Sequence, residues 1–161
     1  MDFDSGLTQC LPRLRRFAHA LSRDAADADD LTQSTIERAL TARRQWQPGT
    51  SLDSWLYRIM RNLWIDTARS RARKARREAP PEAGEAVGVD PRPGMEASLD
   101  LMRVMSAMER LPDEQREVVA LILIEGFGYR ETAEMLGLPI GTVSSRLVRG
   151  RTALLEMVGE R

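Results

Sequence analysis

A chain of 161 residues with 5% aromatic and 30% charged residues has room for one ordinary domain or two small helical ones, and its recurrent Ala, Leu, Arg, Glu and Met favour helix. One cysteine, Cys10, excludes an internal disulfide and a cysteine-rich metal site, and the lone His19 supplies no zinc-ligand set, so no metal or other cofactor is expected. The formal net charge is zero, no apolar run is long enough for a membrane span, and the start Met1-Asp2-Phe3-Asp4 is unlike a basic secretory leader, so the expectation is a cytoplasmic protein.

The balanced total conceals segregation. Between positions 24 and 37 stand Asp24, Asp27, Asp29, Asp30 and Glu37 with no base among them, whereas positions 58–77 carry eight basic residues against Asp66 alone. Such separation suits one face for a polyanion and another for a basic or strongly polar partner.

Leu7, Cys10, Leu11, Leu14, Phe17, Ala18 and Leu21 recur at three and four residues, the stripe of an amphipathic helix, and place Cys10 in a core. Asp24 or Asp27 is available to cap a second helix, which runs through Ala28, Leu31, Thr35, Ile36, Ala39 and Leu40 to about Arg44. Asp29, Asp30, Gln33 and Glu37 continue along its exposed side, as a protein-binding surface or as a solvated face.

Residues 45–50 form a turn-rich segment around Trp46, and Thr50 or Ser51 caps a third helix with the inner stripe Leu52, Trp55, Leu56, Ile59 and Leu63. Trp55 belongs to the core. Trp46 and Trp64 either pack inward or stack on an unpaired base. The other side of this helix carries Arg58, Arg61, Asn62, Ile65 and Arg69 and leads into a basic run through residue 77, a surface that attracts phosphates.

Periodicity then disappears, and Pro80, Pro81, Gly84, Gly88, Pro91, Pro93 and Gly94 mark residues 78–95 as a flexible linker. Leu101, Met102, Met105 and Met108 restore a helical face. Pro112 suits the start of a further helix centred on Val118, Val119, Leu121 and Ile122 and ending at Gly126.

Residues 128–154, GYRETAEMLGLPIGTVSSRLVRGRTAL, read as two short helices meeting at Gly137-Leu138-Pro139. Gly137 permits the corner, Pro139 turns Leu138 away from helical geometry, and a second helix starts near Ile140, as in a helix-turn-helix. Its outward positions Thr142, Ser144, Ser145, Arg146 and Arg149 are able to reach base edges or phosphates in a major groove.

Together these segments resemble the bacterial sigma factors of the extracytoplasmic-function type, within the sigma-70 family. The resemblance covers residues 24–40 (regions 2.1 to 2.2), 51–74 (regions 2.3 and 2.4) and 111–155 (region 4), in that order. It implies an all-α protein of two small helical domains, region 2 over 1–77 and region 4 over 96–161, with the linker between. It also implies a factor that directs core RNA polymerase to promoter DNA and assists its opening, under an anti-sigma partner.

By that resemblance Asp30, Leu31, Gln33 and Ser34, with Glu37 nearby, dock on the clamp helices of the largest polymerase subunit. The loop from Trp46 through Thr50 and Ser51 captures a flipped base of the −10 element. Arg58, Arg61, Asn62 and Asp66 line the opened strand or support that loop, and Arg69, Arg71, Arg73, Lys74, Arg76 and Arg77 meet nearby phosphate. Thr142, Ser144, Ser145, Arg146 and Arg149 serve the −35 element. The chain departs from the family's common pattern at Ser144, where a longer base is frequent, and at Gly150, where alanine is usual and glycine costs up to about 1 kcal/mol within a helix.

Three rivals are weaker. A sigma-like decoy for an anti-sigma factor has no use for the basic surface of region 2, and a regulator using one helix-turn-helix leaves the N-terminal matches without purpose. A small hydrolase needs a Ser-His-Asp set, and nothing around His19 supplies one, so no catalytic residue is assigned.

Overall fold

The computed structural model describes residues 2–77 and 96–159, and the segment expected to be a linker, 78–95, lies outside them. Among the described residues every regular element is helical. Three helices form the N-terminal unit: α1 (Phe3–Ser22), α2 (Ala25–Thr41) and α3 (Leu52–Arg77), with a 3₁₀ turn at Arg43–Gln45. Four more follow: α4 (Glu96–Glu109), α5 (Asp113–Val119), α6 (Tyr129–Leu136) and α7 (Ile140–Gly159). No described helix is long and apolar enough to cross a membrane.

The caps follow the chemistry of the chain. Asp24 accepts from the Asp27 amide and so starts α2, while the Ser51 hydroxyl accepts from Ser54 and starts α3; Thr50 instead donates to the Gln47 carbonyl. The stripe of α1 is buried at Leu7, Cys10, Leu14, Phe17, Ala18 and Leu21 as its spacing requires. On α3 the expected stripe holds at Leu56, but Tyr57 and Met60 are buried as well, because a second wall of helices covers their side. Leu40, expected on the inner face of α2, is exposed near the end of that helix.

The C-terminal unit departs further from expectation. The helix centred on Val118 changes pitch: α5 gives way to a π-helical turn, Ala120–Ile124, in which the Glu125 amide donates to the Ala120 carbonyl at 2.9 Å. Ile122 is only half-buried, and Leu123 and Ile124 face outward. Helix α4 packs on α7 through its C-terminal part, burying Ala107 and Met108, while Leu101 and Met105 remain on its open side. Leu155 of α7 is likewise exposed.

Gly137 ends α6 in left-handed backbone at φ 65°, the conformation glycine adopts without strain. Gly150 has a different reason. A β-carbon there would stand 2.7 Å from Val119 Cγ2 and 3.3 Å from Gln115 Cβ, so the close approach of α7 to α5 excludes a side chain.

The two units share a core. Tyr57 of α3 lies edge-on between Phe17, at 4.8 Å, and Phe127, at 5.2 Å. Arg116 of α5 reaches across to the last carbonyls of α1, donating to Ala20 and Leu21 as well as to Leu111 of its own unit. Those α1 carbonyls lack partners within their helix, and a guanidinium there also meets the negative end of the helix dipole.

Candidate nucleic-acid interface

On α2 the spacing of three and four residues brings Asp30, Gln33, Ser34 and Glu37 onto one exposed face, where the Gln33 amide donates to Glu37 at 3.4 Å. Leu31 does not join them. It is turned into the core at 5% exposure, as its place on the apolar stripe dictates, and supports that face from behind.

The segment leading into α3 is anchored by Trp46, whose ring is half-buried against Phe3 at 5.9 Å. This resolves the choice at Trp46 towards inward packing. Thr50 and Ser51 remain exposed in the turn, with Gly49 at φ 92°. Beside them a shallow groove of about 220 Å³ runs between the end of α2 and α3, lined by Arg38, Gln45, Trp55, Ile59, Asn62 and Asp66 among others. Asn62 and Asp66 belong to the expected set. Arg38 and Gln45 do not, because they lie on a different helix and in a 3₁₀ turn.

The basic face of α3 divides in two. Arg58, Arg69, Arg73, Lys74, Arg76 and Arg77 are exposed and make no ion pair among the described residues. Arg71 and Arg61 are engaged. Arg71 grips Asp27 with both terminal nitrogens, at 2.7 and 2.8 Å, and lies 5.7 Å from the Trp64 ring centroid. That hydrogen bond, with the charge of Arg71, holds the Asp27 carboxyl below its ordinary value. Arg61 donates to Glu117 of α5 at 2.9 Å, so a residue expected on the −10 strand is turned towards the other unit.

At the helix-turn-helix, Ser145 and Arg149 of α7 are exposed, and Thr142, Ser144 and Arg146 are partly covered. Thr142, Ser145, Arg146 and Arg149 line an open groove of about 360 Å³ whose opposite wall is Pro112, Glu114 and Gln115. Arg146 lies 3.6 Å from Glu114 across it. Ser144 is the one expected reader that does not line this groove.

Between the units the electrostatics are concentrated. The Glu125 carboxylate, 1% exposed, accepts from Arg16 at 2.8 and 3.0 Å, from Arg13 Nε at 3.1 Å and from the Tyr57 hydroxyl at 2.9 Å. Arg13 also pairs with Asp53. Burial pushes the Glu125 carboxyl up, but hydrogen bonds from Arg16, Arg13 and Tyr57 outweigh it and leave the group below its ordinary value. Glu117 has fewer donors, and burial pushes its carboxyl up against the nearby charge of Arg61.

Residues 7–74 match the Sigma-70 region 2 family, and residues 101–154 match Sigma-70, region 4. The ECF RNA polymerase sigma factor EcfG of Rhodopseudomonas palustris is 41% identical over 145 residues, 89% of this chain and 78% of that protein. The chain belongs to the extracytoplasmic-function sigma factors. The ECF RNA polymerase sigma factor SigE of Mycolicibacterium smegmatis is 38% identical, over 98% of this sigma factor and 62% of its own length. Among solved structures, the sigma factor RpoE from Bartonella quintana, in complex with the anti-sigma factor NepR, superposes with a TM-score of 0.88 at 35% identity over 99% of each chain. CnrH, solved with the cytosolic domain of CnrY, gives a TM-score of 0.65 at 27% identity over 95% of this chain and 87% of that one.

Both matched segments of this sigma factor thus carry exposed candidate contacts, while Leu31 is buried beneath the exposed face of α2 and Arg61 and Arg71 are held by acids. The residues that the sequence pattern passes over are Arg38, Gln45, Glu114 and Gln115, which line the two grooves, and Glu125, which ties the units. None stands within a periodic motif; only their positions beside helix ends hint at them.

Proposed function

We propose that this sigma factor binds core RNA polymerase through the α2 face of Asp30, Gln33, Ser34 and Glu37, with Leu31 beneath it, and directs the enzyme to selected promoters. Region 2, assigned to 1–77, holds the opened −10 strand along the loop that Trp46 anchors from within and in which Thr50 and Ser51 are exposed, and along the α3 face of Arg58, Arg61, Asn62 and Asp66. Arg69, Arg73, Lys74, Arg76 and Arg77 contact phosphate, with Arg71 steadied by Asp27. Region 4, assigned to 96–161, brings Thr142, Ser144, Ser145, Arg146 and Arg149 to the −35 major groove. Residues 78–95 link the two.

The observation that carries this reading is the exposed set Arg58, Arg69, Arg73, Lys74, Arg76 and Arg77 of α3, in no ion pair among the described residues, in the same chain as a formed helix-turn-helix. Unpaired bases present faces and edges that a duplex hides, so promoter opening is binding energy directed at one DNA conformation, and the chain acts by binding and not by catalysis. It works in the cytoplasm under an anti-sigma factor, a control supported by the solved complexes of RpoE with NepR and CnrH with CnrY.

The test is transcription from a pooled promoter library by core polymerase with and without the purified chain. Sequence-selected, chain-dependent initiation is expected. A chain that binds an inhibitor but never directs initiation is a decoy, and the proposal fails. For the docking face, Asp30→Ala with Gln33→Ala is expected to lose competition for core polymerase; unimpaired competition removes that assignment.

A further inference from the structure

The carboxylates that tie the two units together stand where anions would be bound. Arg13 and Arg16 project from α1, and Tyr57 and Arg61 lie one turn apart on α3, beside Arg58 and Asn62 on the adjoining strip of the same helix. All four groups donate to acids of the C-terminal unit. Arg13, Arg16 and Tyr57 converge on Glu125 at 2.8 to 3.1 Å, and Arg61 reaches Glu117 at 2.9 Å. Three guanidinium groups and a phenol around two carboxylates make the donor set that phosphate oxygens take, and the planar fork of arginine suits both anions equally.

The aromatic component points to one kind of ligand. The Arg13 guanidinium lies 5.9 Å from the Tyr57 ring centroid and 5.6 Å from that of Phe127, and Tyr57 itself packs edge-on against Phe127. Phe127 belongs to the C-terminal unit, so parting the units removes both the acids and one neighbour of the tyrosine ring, while Phe17 stays behind it. What remains is a strip of three arginines with one aromatic face, in which Asp53 of α3 stays paired with Arg13, continuous with the exposed Arg58 and Asn62. An unpaired strand offers a phosphate path and bases that stack; a duplex offers only the first.

We propose that Arg13, Arg16, Tyr57 and Arg61 form a binding site for single-stranded DNA, and that Glu117 and Glu125 occupy it as phosphate mimics until the two helical units part. The inference rests on the promoter-binding reading above. It makes the contact between units and the grip on the strand mutually exclusive uses of the same side chains. Closure thereby withholds part of region 2 from DNA, and a strand already captured holds region 4 away.

The experiment measures fluorescence anisotropy of a labelled single-stranded DNA of about ten nucleotides, and of its duplex, with the full chain. Glu117→Gln with Glu125→Gln removes the anionic competitors at nearly constant shape; single-strand affinity is expected to rise about tenfold, the factor by which closure depletes the competent state. Adding Arg13→Gln and Arg16→Gln, which also leaves the units untied, is expected to reverse that gain and lower the log–log salt slope by about 0.7 to 1.4, one strand phosphate for Arg16 and up to one more for Arg13, which Asp53 also holds. Circular dichroism verifies helix content in each variant, and small-angle scattering follows the parting of the units. Equal affinity of the wild type and the Glu117→Gln/Glu125→Gln chain overturns the mimicry, absence of binding by either included; tight binding that survives loss of both arginines overturns the site. Chain-dependent transcription alongside a flat binding pattern removes this inference alone, whereas the expected binding pattern without transcription removes the sigma-function reading instead.

Discussion

Gly150 and Val119 stand so close across the α7–α5 contact that a β-carbon on Gly150 would lie 2.7 Å from Val119 Cγ2, and Val119 is itself buried at 1% exposure. Helix propensity alone favours alanine at position 150 by up to about 1 kcal/mol. Overpacking a closed contact costs about 1–3 kcal/mol, and the same β-carbon would also stand 3.3 Å from Gln115 Cβ. Gly150→Ala is therefore expected to destabilise the chain, by up to about 2 kcal/mol, read from the midpoint of chemical unfolding. A midpoint that rises sets the propensity term above the packing term and contradicts the geometry.

Cys10 illustrates a residue whose place was legible but whose chemistry was not. The apolar stripe of α1 puts it in the core, yet its thiol also donates to Asp53 on α3 at 2.7 Å, a contact between residues 43 positions apart. Burial, then the Asp53 hydrogen bond and charge, push the thiol up to about 12. Labelling of native Cys10 by a disulfide reagent at mildly alkaline pH is expected to run at least about a hundredfold slower than in denaturant, because the thiolate is the nucleophile. Asp53→Asn is expected to quicken native labelling; an unchanged rate assigns the protection to burial alone.

Glu125 and Glu117 give pH dependences of opposite sign. Glu125 is held below the ordinary 4.5, so its contribution to stability is complete above that value and is lost as pH falls through the lowered folded one. Glu117 is raised above 4.5, so the folded state gains from its protonation in acid and loses that advantage as pH rises through the raised value. Unfolding midpoints measured across the acid range are expected to lose part of their acid decline in Glu125→Gln. Glu117→Gln is expected to remove the opposing fall towards neutrality. Identical profiles for the two variants contradict the assigned signs.

Much of the architecture was legible because it rests on local terms. The stripe of α1, the cap choices before α2 and α3, and the corner at Gly137 each follow from spacing or backbone freedom within a few residues. The tie between the units was not legible. Glu125 follows an apolar run that reads as an ordinary helix, while its partners Arg16 and Arg13 lie 109 and 112 positions earlier. Burial of Tyr57 and Met60 depends on the same contact, so the stripe of α3 understated the core. The pitch change at Ala120–Ile124 left no mark in the periodicity, since an apolar run suits either helix. Leu31 shows the converse: its spacing already placed it inside, and only the family pattern drew it onto the docking surface.

Near its C-terminal end α3 carries both unpaired bases and Arg71, which is engaged. Arg73, Lys74, Arg76 and Arg77 are exposed and unpaired among the described residues, whereas both terminal nitrogens of Arg71 are taken by Asp27. Each free cation that meets a duplex phosphate displaces counterions and steepens the salt dependence by about 0.9 in log–log slope. Replacing those four with alanine is expected to lower the slope for promoter binding by the holoenzyme by about 3 to 4 units and to weaken all promoters similarly, because phosphate carries no sequence. Arg71→Ala is expected to change the slope by much less than the roughly 0.9 of a free contact, since both its terminal nitrogens are already taken by Asp27 and there is no phosphate contact to lose. If Arg71→Ala alone lowers the slope by a full contact while the fourfold variant leaves it unchanged, the phosphate path runs over the α2 end of the helix and not along its exposed tail.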